Sequence, residues 1–132
     1  MDTVLRGFHH VKLPASDIDR SIEWYERVLG LRVYMEFVEE GVLMGVAVAD
    51  PAQTVALALR HAPERAAAMA GFDPVALRVP TAQALKAWQQ RLDDLGEPHG
   101  GIVTGHAGSV LVGLHDPDGL EIRLYQPAEG ES

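Results

Sequence analysis

Hydrophobic and polar positions alternate along Phe8-His9-His10-Val11-Lys12-Leu13, with Val11 and Leu13 on one side of an extended chain and His10 and Lys12 on the other. The pattern predicts a half-buried strand that Pro14 ends. Ser16 and Asp17 follow as N-cap candidates. Ile18, Ile22, Tyr25 and Leu29 then recur at spacings of 4, 3 and 4, one apolar helical stripe, until Gly30 stops it. Trp24 lies off the centre of that stripe and is free to reach an interface. Strand-like runs come next at 31–38, 42–49 and 54–60, separated by Glu39-Glu40-Gly41 and Asp50-Pro51.

A linker, "HAPERAAAMAGFD", has an Ala-rich centre able to form one or two helical turns. Beyond it the first pattern returns. Val75, Leu77 and Val79 oppose Ala76 and Arg78, Pro80 ends the run, and Thr81 is a plausible N-cap. Leu85, Trp88, Leu92 and Leu95 form a second stripe, with Trp88 reading as core, and Gly96 terminates it. Strand-like runs at 101–104, 109–115 and 120–126 close the chain, the last two joined by "DPDG" (Asp116 to Gly119), a strong hairpin-turn signal. Strand-helix-three strands thus occurs twice, offset by 64 residues from His10 to Pro74. The expected fold is α+β: two tandem βαβββ modules, about 5–61 and 73–127 with a linker near 62–72, in a single domain over 1–132. Each half alone is too small for a good core.

With 132 residues and 47% hydrophobic content the chain is a globular rather than a disordered sequence. No apolar run approaches the roughly 20 residues of a membrane span, and no secretory signal is visible. The absence of cysteine rules out thiolate zinc sites and suits a cytoplasmic setting. A net charge of −8 argues against a nucleic-acid partner.

Two stretches, "HVKLPASDIDRSIEWYERVLGL" (His10 to Leu31) and "DPDGLEIRLYQP" (Asp116 to Pro127), resemble the opening and closing segments of the vicinal oxygen chelate superfamily, which includes glyoxalase, bleomycin-resistance and extradiol dioxygenase proteins. The resemblance implies a curled mixed sheet around a cleft, a small-molecule ligand, and a homodimer as a common state. It also implies a divalent metal held from the first and last strands of both modules. Those positions fall here on His10, Ala58, Pro74 and Arg123, so His10 alone keeps a ligand. The separations agree between halves, 48 from His10 to Ala58 and 49 from Pro74 to Arg123. No cofactor is therefore expected; a site rebuilt from His10, Glu121 and another histidine remains the alternative.

Alternation places Val11, Leu13, Leu57, Leu59, Val75, Leu77, Ile122 and Leu124 toward the helices. The other face, the cleft side in this family, receives His10, Lys12, Ala58, Arg60, Ala76, Arg78, Glu121, Arg123 and Tyr125. Its cationic excess, on an acidic chain, favours an anionic or oxygen-rich ligand. His10 and Arg123 are the candidate catalytic residues, as general base and oxyanion stabiliser. Lys12, Arg60, Arg78, Glu121 and Tyr125 are the candidate ligand-binding set. Against this stand plainer readings: Lys12, Arg60 and Arg78 reach to water along their stems, and Arg123 partners Glu121 or another carboxylate. His9, on the opposite phase, is expected toward the helix side, since adjacent strand residues cannot both enter the cleft. Two functions follow, a metal-independent small-molecule binder or a glyoxalase-like lyase, isomerase or dioxygenase.

Overall fold

The side chain of Asp17 accepts a hydrogen bond from the Arg20 N–H and starts α1 (Ile18–Leu29); Thr81 does the same from Ala84 for α3 (Ala82–Leu95). Gly30 and Gly96 end these helices in the left-handed conformation, at φ 71° and 69°, where a side chain would be strained. The computed structural model describes residues 1–128. Around the two helices run β1 (Val11–Ala15), β2 (Arg32–Glu39), β3 (Val42–Ala49), β4 (Ala56–His61), β5 (Val75–Arg78), β6 (Ile102–Gly105), β7 (Gly108–Leu111) and β8 (Ile122–Pro127), with the short α2 (Pro63–Met69) in the linker.

The strands form two four-stranded mixed sheets, β1-β4-β3-β2 and β5-β8-β7-β6. In each, the first strand pairs in parallel with the last. Val11 lies opposite Leu57 and Val75 opposite Ile122, so the repeat in sequence is also a repeat in register. The remaining pairs are antiparallel. Leu13, Leu57, Leu59, Ile122 and Leu124 are buried with Leu85, Leu92 and Val28 from the helices in one core cluster. Among the described residues, no helix is long and apolar enough to cross a membrane.

Several boundaries differ from the sequence expectation. The first strand begins at Val11 rather than Phe8 and runs through Pro14, which sits opposite Arg60. Strand β1 is an outer strand with a ladder on one side only, so a residue without an N–H is accommodated there. The run expected over 109–115 stops at Leu111, because Gly113 turns the chain at φ 74°; His115 keeps only an isolated bridge to Glu121. Trp24, expected off the stripe centre, is 4% exposed and joins the core, and Trp88, expected in the core, is partly buried and packs against it. The buried face of α1 contains Ile18, Ser21, Trp24, Tyr25 and Val28. The helix packs on β2, β3 and β4 of its own sheet, and Trp24 Nε1 reaches across to the second half, donating to Glu97 at 2.7 Å.

Candidate ligand cavity

The DPDG turn holds the two halves together. Gly119 N–H donates to the Asp116 carbonyl, closing the expected turn. Asp116, 6% exposed, accepts from the Tyr25 hydroxyl at 2.8 Å and from the N–H groups of Asp118 and Leu120. Burial raises its carboxyl above the ordinary aspartate value, against the pull of those hydrogen bonds. Tyr25 is pushed well up by burial and then by the neighbouring Asp116 charge. Asp118 accepts from the Ser16 backbone N–H, the Ser16 hydroxyl and Arg20. Ser16 is thus occupied by the turn, and Asp17 is left to cap the helix. Sequence reasoning saw Asp116 as a turn former and Tyr25 as core. Their pairing across 91 positions left no local signal.

An open cavity of about 820 Å³ lies where the start of β1, the start of β4 and β5 meet. Val11, Val55, Leu57, Val75 and Leu77 supply apolar wall; His9, His10, Gln53, Thr54 and Arg78 supply its polar side chains. Arg78 is its one formally charged lining residue, and among the described residues it makes no ion pair. Space for a small molecule, apolar walls and a few convergent polar groups are the usual ingredients of a ligand site.

Of the residues singled out from sequence, the cavity gathers His10 and Arg78. Lys12 lies level with Ala58 and outside the lining. Arg60 forks onto Glu39, with Nη1–Oε1 3.1 Å and Nη2–Oε2 3.4 Å. Arg123 is held by Glu121 at 2.8 Å and Asp73 at 3.3 Å. Glu121 also accepts from the Gly113 N–H, and this bond, then Arg123, keeps its carboxyl below the ordinary glutamate value. Tyr125 donates to the Ala107 carbonyl at 2.6 Å. Two of the four cations expected on that face, Arg60 and Arg123, are thus paired with carboxylates, leaving Arg78 and Lys12 without an ion pair among the described residues.

His9 corrects the sequence expectation. His9 and His10 both precede β1, and Gly7 at φ 82° redirects the chain ahead of them. Strand alternation does not apply there. Both rings line the cavity, with their Nδ1 atoms 2.8 Å apart. The doublet itself was the available signal; treating it as part of the strand concealed it.

At the four positions that the resemblance gives to metal ligands stand His10, Ala58, Pro74 and Arg123. Ala58 and Pro74 offer no side-chain donor, and Arg123 is a cation already engaged by two carboxylates. Among the described residues, no group of three or more His, Asp or Glu side chains could hold a metal ion.

Comparison with known proteins places this geometry among relatives. Residues 7–124 match the family model of the Glyoxalase/Bleomycin resistance protein/Dioxygenase superfamily. The protein named "Putative ring-cleaving dioxygenase MhqA" from Bacillus subtilis (strain 168) is 28% identical over 96% of this chain. The chain spans only 42% of that relative's length. TnmS3, an antibiotic binding protein from Streptomyces sp. CB03234, shares the fold at TM-score 0.76 and 21% identity, over 96% of this chain and all of that one (100%). A glyoxylase/bleomycin resistance protein/dioxygenase domain from Frankia sp. EAN1pec superposes at TM-score 0.75 with 19% identity, covering 97% of this chain and 96% of that one.

Proposed function

The chain belongs to the Glyoxalase/Bleomycin resistance protein/Dioxygenase superfamily, and from that premise we propose that it binds a small anionic or oxygen-rich molecule in the β1–β4–β5 cavity without the family's divalent metal. The observation that carries this reading is Arg78, a guanidinium with no ion-pair partner among the described residues, set in a mainly apolar cavity beside two imidazoles. Such a group pairs with a carboxylate in a two-point fork. The substituted metal positions support the metal-free part. The chain acts as one binding unit, its two halves clasped by the DPDG turn. The fold shared with an antibiotic binding protein accords with a binder.

The second reading, a lyase, isomerase or dioxygenase, draws on His10 at the cavity and on the likeness to a ring-cleaving dioxygenase. In that reading His10 is the general base. Arg123 is tied to Glu121 and Asp73, so the oxyanion role assigned to it from sequence passes to Arg78.

Self-association belongs to the same proposal. Every residue of the outer strand β2 is exposed, including Val33, Tyr34, Met35, Phe37 and Val38. An apolar open edge of this kind is a pairing surface, and a second copy of the chain is the partner we assign to it.

Elemental analysis after dialysis, run beside a thermal-shift screen of size-matched carboxylates and amines, tests the reading. No stoichiometric metal and stabilisation by carboxylates are expected. A bound divalent ion that His10→Ala loses, or stabilisation by cations alone, contradicts it.

A further inference from the structure

The His9 and His10 rings meet edge to face, their centroids 5.1 Å apart and their planes at 80°. Their Nδ1 atoms are 2.8 Å apart, a hydrogen-bond distance. Two lone pairs at that separation repel, and two N–H bonds collide, so one proton must lie between the nitrogens. A neutral imidazole carries one proton in total. The ring that gives its Nδ1–H is therefore left with a bare Nε2, and the ring that receives it carries its own proton on Nε2. Among the described residues neither ring has another hydrogen-bond partner, and Arg78 is the one charged side chain lining the same cavity.

From this contact we infer that His9 and His10 work as a single unit, each a positioning residue for the other, in which one shared proton fixes opposite tautomers. The pair then presents one unprotonated nitrogen and one N–H donor. Its consequence for ligand binding rests on the proposed role of the cavity. The tautomer arrangement itself belongs to the free protein.

Nitrogen-15 NMR of the histidine rings in the full chain, without ligand and at a pH of about 8.5 where free imidazole is neutral, reads the arrangement directly. One of the two rings is expected to be protonated at Nδ1 and the other at Nε2. Replacing the accepting ring by alanine (His9→Ala or His10→Ala) should return the remaining ring to the Nε2–H form. Aspartate, whose ionised carboxylate can only accept, should hold it in the Nδ1–H form. Both positions are exposed, so neither substitution empties the core. The same tautomer on both rings, or an Nδ1–H ring that keeps that form after its partner is replaced by alanine, overturns the inference. Failure of benzoate to bind the wild-type protein would count against the cavity's proposed role and leave the NMR result standing, so the two readings fail separately.

Discussion

Tyr25, in the middle of α1, donates a hydroxyl hydrogen bond to the buried carboxylate of Asp116, in the turn before β8, at 2.8 Å. One bond thus joins the helix of the first half to the hairpin turn of the second. The cavity walls also come from both halves, β1 and β4 on one side and β5 on the other.

Tyr25→Phe removes the donor and leaves the buried carboxylate with two backbone N–H partners. A stability loss of about 1–3 kcal/mol is expected, read as a lower midpoint in urea unfolding with an unchanged slope. An unchanged midpoint would show that the clasp adds nothing to holding the halves together.

Glu121 predicts a pH dependence. Its folded-state carboxyl lies below the ordinary value of 4.5, because the Gly113 N–H and Arg123 favour the charged form. A depressed carboxyl contributes stability that is present above the ordinary value and lost as pH falls through the folded-state value. The melting temperature of wild type should exceed that of Glu121→Gln at pH 7, and the gap should close on acidification below 4.5. A gap that persists or widens in acid would contradict the assignment. Asp116 has the opposite sign: its raised carboxyl favours the folded state below the ordinary aspartate value of 3.8, and that contribution is lost as pH rises. The comparison should therefore be made between variants rather than on wild type alone.

Arg78→Ala should weaken binding of an aromatic carboxylate by about tenfold to a hundredfold, the loss of one charge-assisted contact, while Lys12→Ala, outside the cavity lining, changes it little. Isothermal titration with benzoate distinguishes the two. Equal losses in both variants would point to the general field of the face rather than to a fork at Arg78.

Phe37→Glu should shift the chain toward monomer in light scattering after gel filtration, because it places a charge in the exposed apolar strand β2. A monomeric wild type, or a dimer indifferent to this substitution, would remove β2 from the self-association proposal.

Most of the architecture was legible because it is written in short-range signals. Asp17, Thr81, Gly30 and Gly96 act where capping chemistry requires them, and the 64-residue repeat reappears as matched registers around Val11 and Val75. The alternation that sent Leu57, Leu59, Ile122 and Leu124 inward is the arrangement found in the core. What escaped depended on contacts between distant segments. Ser16 serves Asp118 across 102 positions, Trp24 is drawn inward by the second half, and Glu39 takes up Arg60. Each changes a side chain's role without leaving a mark in its own neighbourhood. Of the residues alternation gave to the cleft face, the cavity takes in His10, Pro74, Ala76 and Arg78, but it also takes in Val11, Leu57, Val75 and Leu77, which alternation gave to the helices. Charge counting could not show that Glu39, Glu121 and Asp73 already satisfy two of that face's arginines.

Anion binding without a metal is decided by calorimetric titration of chelator-treated protein with benzoate and with benzamide. Benzoate should bind the metal-free chain saturably, with benzamide weaker by about tenfold or more. Binding that appears only when a divalent ion is restored, or an amide that binds as tightly as the carboxylate, would contradict it.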